Sequence, residues 1–285
     1  MALVLDGVAF GLQLALLATG LTLIYGLAGV LNLAHGQLVV AAAMVGAVAL
    51  GAGAPVLLAL GLAVVTAGAA AVLLDVTLLR PVYRLRGQAR VLLSLLLTLG
   101  VAFAADGLLV HSFPFTRLNL SVATPSVELL GVTVRSASVV ASLVAIVALG
   151  GLVVLLRTTR VGRAIRSLTQ DEEGAQLCGV DPGRTRRLVF VLGGSMAGLV
   201  AVTQGLVSSV GATSGLDLTI FALIVTVVGG LGRVSGAVVA GVLLGVVHAV
   251  AAFHIGTVLT FVILLVAAIV VILVRPSGIL GGAGS

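Results

Sequence analysis

The chain has 285 residues, 60% of them hydrophobic and 8% charged, with a mean hydropathy of +1.34; soluble domains carry roughly 25% charge, so most of this chain belongs in lipid. Its net charge of +6 rests on Arg alone, set in short runs beside apolar segments with no soluble basic face, which argues against nucleic acid as a partner. Cys178 is the single cysteine, which excludes an internal disulfide and a cysteine-rich metal site.

Residues 7–74 contain no Asp, Glu, Lys or Arg. A bilayer crossing takes about 20 apolar residues, so this run holds more than one. Met1 to Asp6 has neither a positive n-region nor a small-residue cleavage site, so residues 4–25 are expected to form a first membrane helix and not a removable signal. The run is interrupted once, at Leu31-Asn32-Leu33-Ala34-His35-Gly36-Gln37. Intramembrane Asn and His usually face a bundle interior. Polar, helix-unfriendly breaks between spans are where transport pathways are commonly built. Asn32, His35 and Gly36 are therefore candidate pathway residues.

Further spans are expected over 38–51, 55–79, 91–110, 138–156, 188–208, 234–253 and 257–274. Residues 218–230 are too few for a crossing: at 1.5 Å per residue they cover about 20 Å, against a hydrocarbon core of roughly 30 Å. A short or broken descent is expected there. The fold class that follows is an all-α integral membrane protein. It is a polytopic bundle of about eight full spans plus broken or re-entrant helices, in one transmembrane domain over 1–285. Asp75 and Asp106 fall near span ends, where water or headgroups would solvate them.

Arginine placement orients the bundle. Arg80, Arg84, Arg86 and Arg90 fill one loop, Arg157, Arg160, Arg163, Arg166, Arg184, Arg186 and Arg187 another, and Arg275 begins the tail. The positive-inside rule makes these segments cytoplasmic. The loop over about 111–137 holds only Arg117 and Arg135, together with Pro114, Pro125 and Glu128, and is expected outside. Counting passes puts the N-terminus outside and the C-terminus in the cytoplasm.

A second polar break reads Gly229-Gly230-Leu231-Gly232-Arg233-Val234-Ser235-Gly236. Like the first, it has a polar residue followed by Gly and then a small, apolar helix. Gly releases the backbone from helical geometry, and freed N–H and C=O groups in lipid need partners or a water-lined cavity. Gly229, Gly230, Gly232, Ser235 and Gly236 join the candidate pathway; a helix-connecting turn at the membrane surface is the other reading. Downstream, Gly236, Ala240, Gly241, Gly245 and Ala249 make a smooth face for close helix packing. His248 is expected to pack or bond within its helix, and His254 to lie near an external end.

The loop over about 157–187 has the marks of a rigid protrusion. Thr169 and Glu172 have capping-box spacing, and Asp171, Glu172 and Glu173 would fill the first turn of a helix over about 170–178, where the dipole favours acids. Gly179 is a natural stop. Asp181-Pro182 restarts a helix, Asp as cap and Pro at the first position. A solvated helix whose acids balance nearby arginines fits the charges equally well.

Glu173-Gly174-Ala175, followed after three residues by Gly179, resembles the EAA coupling loop of ABC importer permeases, with Gly at the usual Ala position and without the apolar-Pro ending. More broadly, several segments look like the permeases of branched-chain amino acid ABC importers. They are Tyr25-Gly26, Asn32-Leu33-Ala34-His35-Gly36, Arg160-Val161-Gly162-Arg163-Ala164, Gly179-Val180, Gly229-Gly230-Leu231-Gly232, Ser235-Gly236-Ala237 and Arg275-Pro276-Ser277-Gly278-Ile279-Leu280-Gly281. The resemblance, to the first permease of the pair, covers nearly the whole chain. It implies a pore subunit in a bacterial plasma membrane, surrounded by lipid. The implied partners are a second homologous permease, two ATP-binding subunits and an extracytoplasmic solute-binding protein. It also implies that Asp171, Glu172, Glu173, Gly174, Ala175 and Gly179 form the ATPase-coupling segment. The chain has no G-x-x-x-x-G-K-[ST] phosphate loop, so ATP would be bound and hydrolysed by partners, with no cofactor on this chain. Urea or short amides are the alternative solutes within the family. An ion-driven secondary transporter is the alternative class; it usually needs a carboxylate deep in a span.

Overall fold

The computed structural model describes residues 2–119, 127–129, 132–275 and 278–280. Among them, eight helices are long and apolar enough to cross a membrane. In chain order these are α1 (Ala2–Ala28), α3 (Val56–Leu74, prolonged by a π-turn, Asp75–Leu79), α4 (Gly87–Ser112), α5 (Ser136–Thr158), α8 (Pro182–Val207), α9 (Gly215–Gly229), α10 (Val234–Ile255) and α11 (Thr257–Val274). Three shorter helices complete the set: α2 (His35–Gly51), α6 (Arg160–Gln170) and α7 (Glu172–Leu177). The fold is an all-α polytopic membrane bundle.

Two expected elements exchange roles. Residues 218–230 were too short to span, but the helix begins earlier, at Gly215, and a 3-10 turn over Ala212–Ser214 prolongs it to 18 residues. The short element is instead α2, with 17 residues. It is preceded by an unwound stretch over 29–34 that runs along α4, with Leu31 at Ser94 and Leu33 at Thr98.

In the loops outside the helices, β1 (Arg117–Leu118) pairs antiparallel with β4 (Val210–Gly211), Arg117 opposite Gly211. β2 (Val127–Leu129) and β3 (Val132–Val134) form a hairpin, Val127 opposite Val134. Pro125 lies outside the described residues.

α1 is the axis of the bundle. From Leu14 to Ala18 its side chains are at most 2% exposed, because α5, α8, α9 and α10 surround it. Lipid tails are as apolar as Leu, so close packing and interhelical hydrogen bonds must hold helices together. The small face of α10 does this against α1. An added Cβ on Gly241 would lie 2.6 Å from the Ala15 backbone, and one on Gly245 would collide with the Gly11 backbone. α9 adds a polar clasp: Thr22 Oγ1 donates to Thr226 Oγ1 at 3.2 Å, and Thr226 Oγ1 donates to the Ala18 carbonyl at 3.3 Å. His248 packs between Phe10 and Phe221, with ring centroids at 4.5 and 5.9 Å, and His254 lies at the last turn of α10.

Candidate transport pathway and coupling face

The first break is a built structure. α1 ends at Ala28, and Gly29, at φ +62°, turns the chain away. The freed backbone groups then find partners on α4. Leu31 N donates to Ser94 Oγ at 3.2 Å, Leu33 N donates to Thr98 Oγ1 at 3.0 Å, and Thr98 Oγ1 lies 3.2 Å from the Leu31 carbonyl. Ser94 and Thr98 sit one helical turn apart and are both fully buried. They were missed from sequence, although two hydroxyls at i, i+4 on an apolar helix are a recognisable signal for an interhelical bond. Asn32 then starts α2: its Oδ1 accepts from Ala34 N at 3.0 Å and its carbonyl accepts from His35 N at 3.2 Å.

Asn32 and His35 are fully buried. His35 lies against α1 at Gly20, where an added Cβ would come within 3.0 Å of Nε2. Gly36 meets the first turn of α9 and donates its N–H to Thr219 Oγ1 at 2.9 Å. The Gln37 side chain lies over Gly215 and reaches Asp106, Nε2 to Oδ1 at 3.4 Å. Asn32 Nδ2 and Gln37 Oε1 are buried with no partner among the described residues.

The second break sits where α9 hands over to α10. Gly230 and Gly232 adopt φ +97° and +80°, and an added Cβ on Gly236 would fall on the Gly229 carbonyl. The tail closes over it: Ile279 N donates to the Val228 carbonyl at 2.9 Å, and Arg233 Nη1 donates to the Leu280 carbonyl at 2.9 Å. That gives the C-terminal motif a structural role; its Pro276, Ser277 and Gly281 lie outside the described residues. A cavity of about 390 Å³ opens beside this break, lined by Thr22, Gly26, Gly162, Arg166, Gly232 and Ser235 among others. Its lining does not include Asn32, His35 or Gly36. The last turn of α1 links the two breaks, since an added Cβ on Gly26 would lie 3.1 Å from Gly232 Cα.

The segment expected in the cytoplasm differs locally from its expected form. α6 was not foreseen as a separate helix. Thr159 caps it by accepting from Gly162 N at 3.2 Å. Its exposed Arg160, Arg163 and Arg166 alternate with buried Ile165 and Leu168, a helical period readable in the sequence. Thr169 is not a cap; it lies within α6 and donates to the Ile165 carbonyl at 2.8 Å. Asp171 caps α7, accepting from Glu173 N at 3.1 Å, so the helix has 6 residues over Glu172–Leu177, not about nine. An Asp in extended conformation competes better for this role than a Thr that can bond back to its own helix. The Asp171 carboxylate folds over Gly174, where any Cβ would collide with it. A side chain at this position would have to displace the capping carboxylate.

α7 stops as expected. Gly179 takes φ +84°, and Val180 N donates to the Ala175 carbonyl at 3.0 Å. Asp181 caps α8, accepting from Gly183 N at 2.8 Å and Arg184 N at 3.1 Å. The bond from the Arg184 backbone, that from Gly183 and the nearby arginines hold its carboxyl below the usual range. Ala175 is buried, while Leu177 is 91% exposed at the tip. Glu172 pairs with Arg186, and Glu173 pairs with Arg86 at 3.2 Å. Asp75 lies near the end of its span, as expected, but is buried there instead of solvated. It is 5% exposed and accepts from Tyr83 OH. Burial, with Asp75 beside it, pushes the Tyr83 phenol above its usual range, so it stays a neutral donor.

The family model described as branched-chain amino acid transport system, permease component, matches residues 3–274. The high-affinity branched-chain amino acid transport system permease protein LivH of Escherichia coli (strain K12) is 27% identical, over 97% of this chain and 94% of that protein. The corresponding protein BraD of Pseudomonas aeruginosa is 28% identical over the same shares. Among solved structures, PsaBC from Streptococcus pneumoniae in complex with Fab aligns with a TM-score of 0.49 at 14% identity, covering 92% of this chain and 89% of that one. By the family match over nearly its whole length, this multi-pass membrane protein belongs to the permease components of branched-chain amino acid transport systems.

Proposed function

We propose that this chain forms the passage for leucine, isoleucine, valine or similar small amphipathic solutes in an ATP-driven importer. It lies in a bacterial plasma membrane with its N-terminus outside and its C-terminus in the cytoplasm. Its partners are a second homologous permease, two ATP-binding subunits and an extracytoplasmic binding protein, and it holds no cofactor of its own. The observation that carries the passage is that buried polar atoms at the first break, Asn32 Nδ2 and Gln37 Oε1 among them, have no partner among the described residues. A buried polar group without a partner costs about 1–3 kcal/mol, and lipid offers none. Water or a polar solute completes these groups when Gly36 and Gln37 separate from the first turn of α9 and open the break at Asn32 and His35. The solute then leaves by Gly232 and Ser235, beside the cavity under α6.

In this reading α7 docks in a groove of an ATP-binding subunit through Asp171, Glu172, Glu173 and Gly174 with Leu177 at the tip, while buried Ala175 seats the helix on its own chain and Gly179 ends it. Nucleotide closure displaces it and tilts α5 and α8. The test is affinity purification from native membranes followed by reconstitution. ATP-dependent leucine uptake that isoleucine and valine compete for supports the proposal. Uptake driven by an ion gradient without a nucleotide-hydrolysing companion would overturn it, and competition by urea or acetamide alone would reassign the solute. Glu173→Arg should insert normally and hydrolyse ATP with little uptake, because it also repels Arg86.

A further inference from the structure

A short chain of side chains connects α7 to the foot of the first break. Glu172, the first residue of α7, pairs with Arg186 on α8. The Arg186 guanidinium lies 4.5 Å from the centroid of the Tyr83 ring, within cation–π range. The Tyr83 hydroxyl is anchored on Asp75, in the π-turn that ends α3. Its carbonyl accepts from Arg90 Nη2 at 3.2 Å, and the Leu85 carbonyl accepts from Arg90 Nε at 2.8 Å. The third side of the same guanidinium reaches the Ala28 carbonyl, Nη1 to O at 3.5 Å. Ala28 is the last residue of α1, and Gly29 behind it packs on Arg90 Cδ. One planar fork thus ties the Tyr83 turn to the C-terminus of α1, whose last carbonyls have no helical partner.

We infer that Arg186, Tyr83 and Arg90 are positioning residues that carry displacement of α7 to the unwound segment 29–34, and so set when the first break opens. None of them lines the cavity beside the second break. Discrete packed contacts of this kind can pass a rigid displacement between elements. A second route exists, in which α8 pushes α1 directly where Gly193 meets Gly20; it would bypass Arg90. The inference rests on the proposed docking of α7.

The experiment uses the complete complex in nanodiscs and two thiol reporters. Cys178 follows α7 directly and is exposed. The second reporter is Leu31→Cys in a Cys178→Ser background. Labelling rates are compared with and without ATP trapped by vanadate. Nucleotide should change both rates by at least about five-fold. Arg90→Gln should keep the Cys178 response and remove most of the response at the Leu31→Cys site. Arg90→Lys should behave like Arg90→Gln, since an ammonium cannot fork across three carbonyls. Tyr83→Phe removes one hydroxyl, spares the backbone carbonyl, and should weaken the response at the Leu31→Cys site; it serves if Arg90→Gln does not assemble. A Cys178 response with an undiminished response at the Leu31→Cys site in these variants overturns the relay and leaves the docking reading intact. Silence of Cys178 in the unsubstituted complex overturns the docking reading, and the relay with it.

Discussion

Gly36 gives its backbone N–H to Thr219 Oγ1 at 2.9 Å, and this bond joins the first turns of α2 and α9. Thr219 in turn donates to the Gly215 carbonyl at 3.0 Å, so one hydroxyl serves both helices. Gly36 has no room for a side chain, since an added Cβ would sit 2.6 Å from the same oxygen. Thr219→Val keeps the volume and strands the Gly36 N–H away from water. That should cost about 1–3 kcal/mol, while Thr219→Ser should be nearly neutral. Unfolding by denaturing detergent, monitored by circular dichroism, measures both. Equal stability of the two variants would remove this bond from the account.

Close backbone approach makes a second, separable prediction. Gly245 on α10 faces Gly11 on α1 with no space for a Cβ. Gly245→Val should therefore force α1 and α10 apart and cost about 1–3 kcal/mol, as overpacking does. Gly150 on α5 has nothing within 4 Å of an added Cβ. Gly150→Val is the control and should leave the thermal midpoint in detergent unchanged. A matched loss in both variants would mean that helix propensity, not packing, sets the effect.

These two contacts also show what the sequence could reveal. The small-residue run of α10 announces a close crossing because its spacing is local and its meaning follows from sterics. The partner face, Gly7, Gly11 and Ala15, is just as regular, yet nothing local says that the two faces meet. Residues 257–274 were read to the residue because apolar length and an exposed end are all that define α11. The breaks were readable as departures from helix but not in their bonding. Ser94 and Thr98 lie far along the chain from Leu31 and Leu33, and only the fold brings them together. Thr169 was misassigned because Thr and Asp both cap helices, and the choice depends on where α6 ends. Asp75 was misjudged for a similar reason: its partner Tyr83 sits beyond the end of α3, in a turn the sequence leaves undefined.

The cap of α8 yields a pH prediction with a definite sign. The folded state holds the Asp181 carboxyl below its usual range, mainly through the Arg184 backbone N–H. A group whose folded pKa is lowered stabilises the fold above its ordinary pKa and loses that contribution as pH falls through the lowered value. Amide exchange at Gly183 and Arg184 should therefore be protected at neutral pH and lose protection in acid, below the usual carboxylate range. Asp181→Asn can still accept these bonds and does not titrate, so its protection should be flat with pH after correction for intrinsic exchange rates. Acid loss of protection in Asp181→Asn as well would assign the effect to other carboxylates. Because Asp181 is exposed, the change should stay local to this turn and leave the thermal midpoint nearly unmoved.

Leu177 supplies the sharpest test of the docking face. It is 91% exposed at the tip of a helix only 6 residues long, well apart from the lipid-facing leucines of the long spans. Its side chain contributes almost nothing to this chain's own packing, so Leu177→Ala should change stability by less than about 0.5 kcal/mol. Burying a leucine against a partner is worth about 1.5–3 kcal/mol. Truncation should therefore weaken capture of the ATP-binding subunits by about ten-fold or more. Leu177→Met keeps most of the apolar area and should bind nearly as well. Titration of the purified subunits onto the permease in nanodiscs distinguishes these outcomes. Unchanged affinity for Leu177→Ala would place the partner's groove elsewhere, on the Arg-lined face of α6 or beside the Glu173–Arg86 pair. Because that pair is an exposed ion pair, added salt should then weaken capture, whereas contact through Leu177 should be largely indifferent to salt.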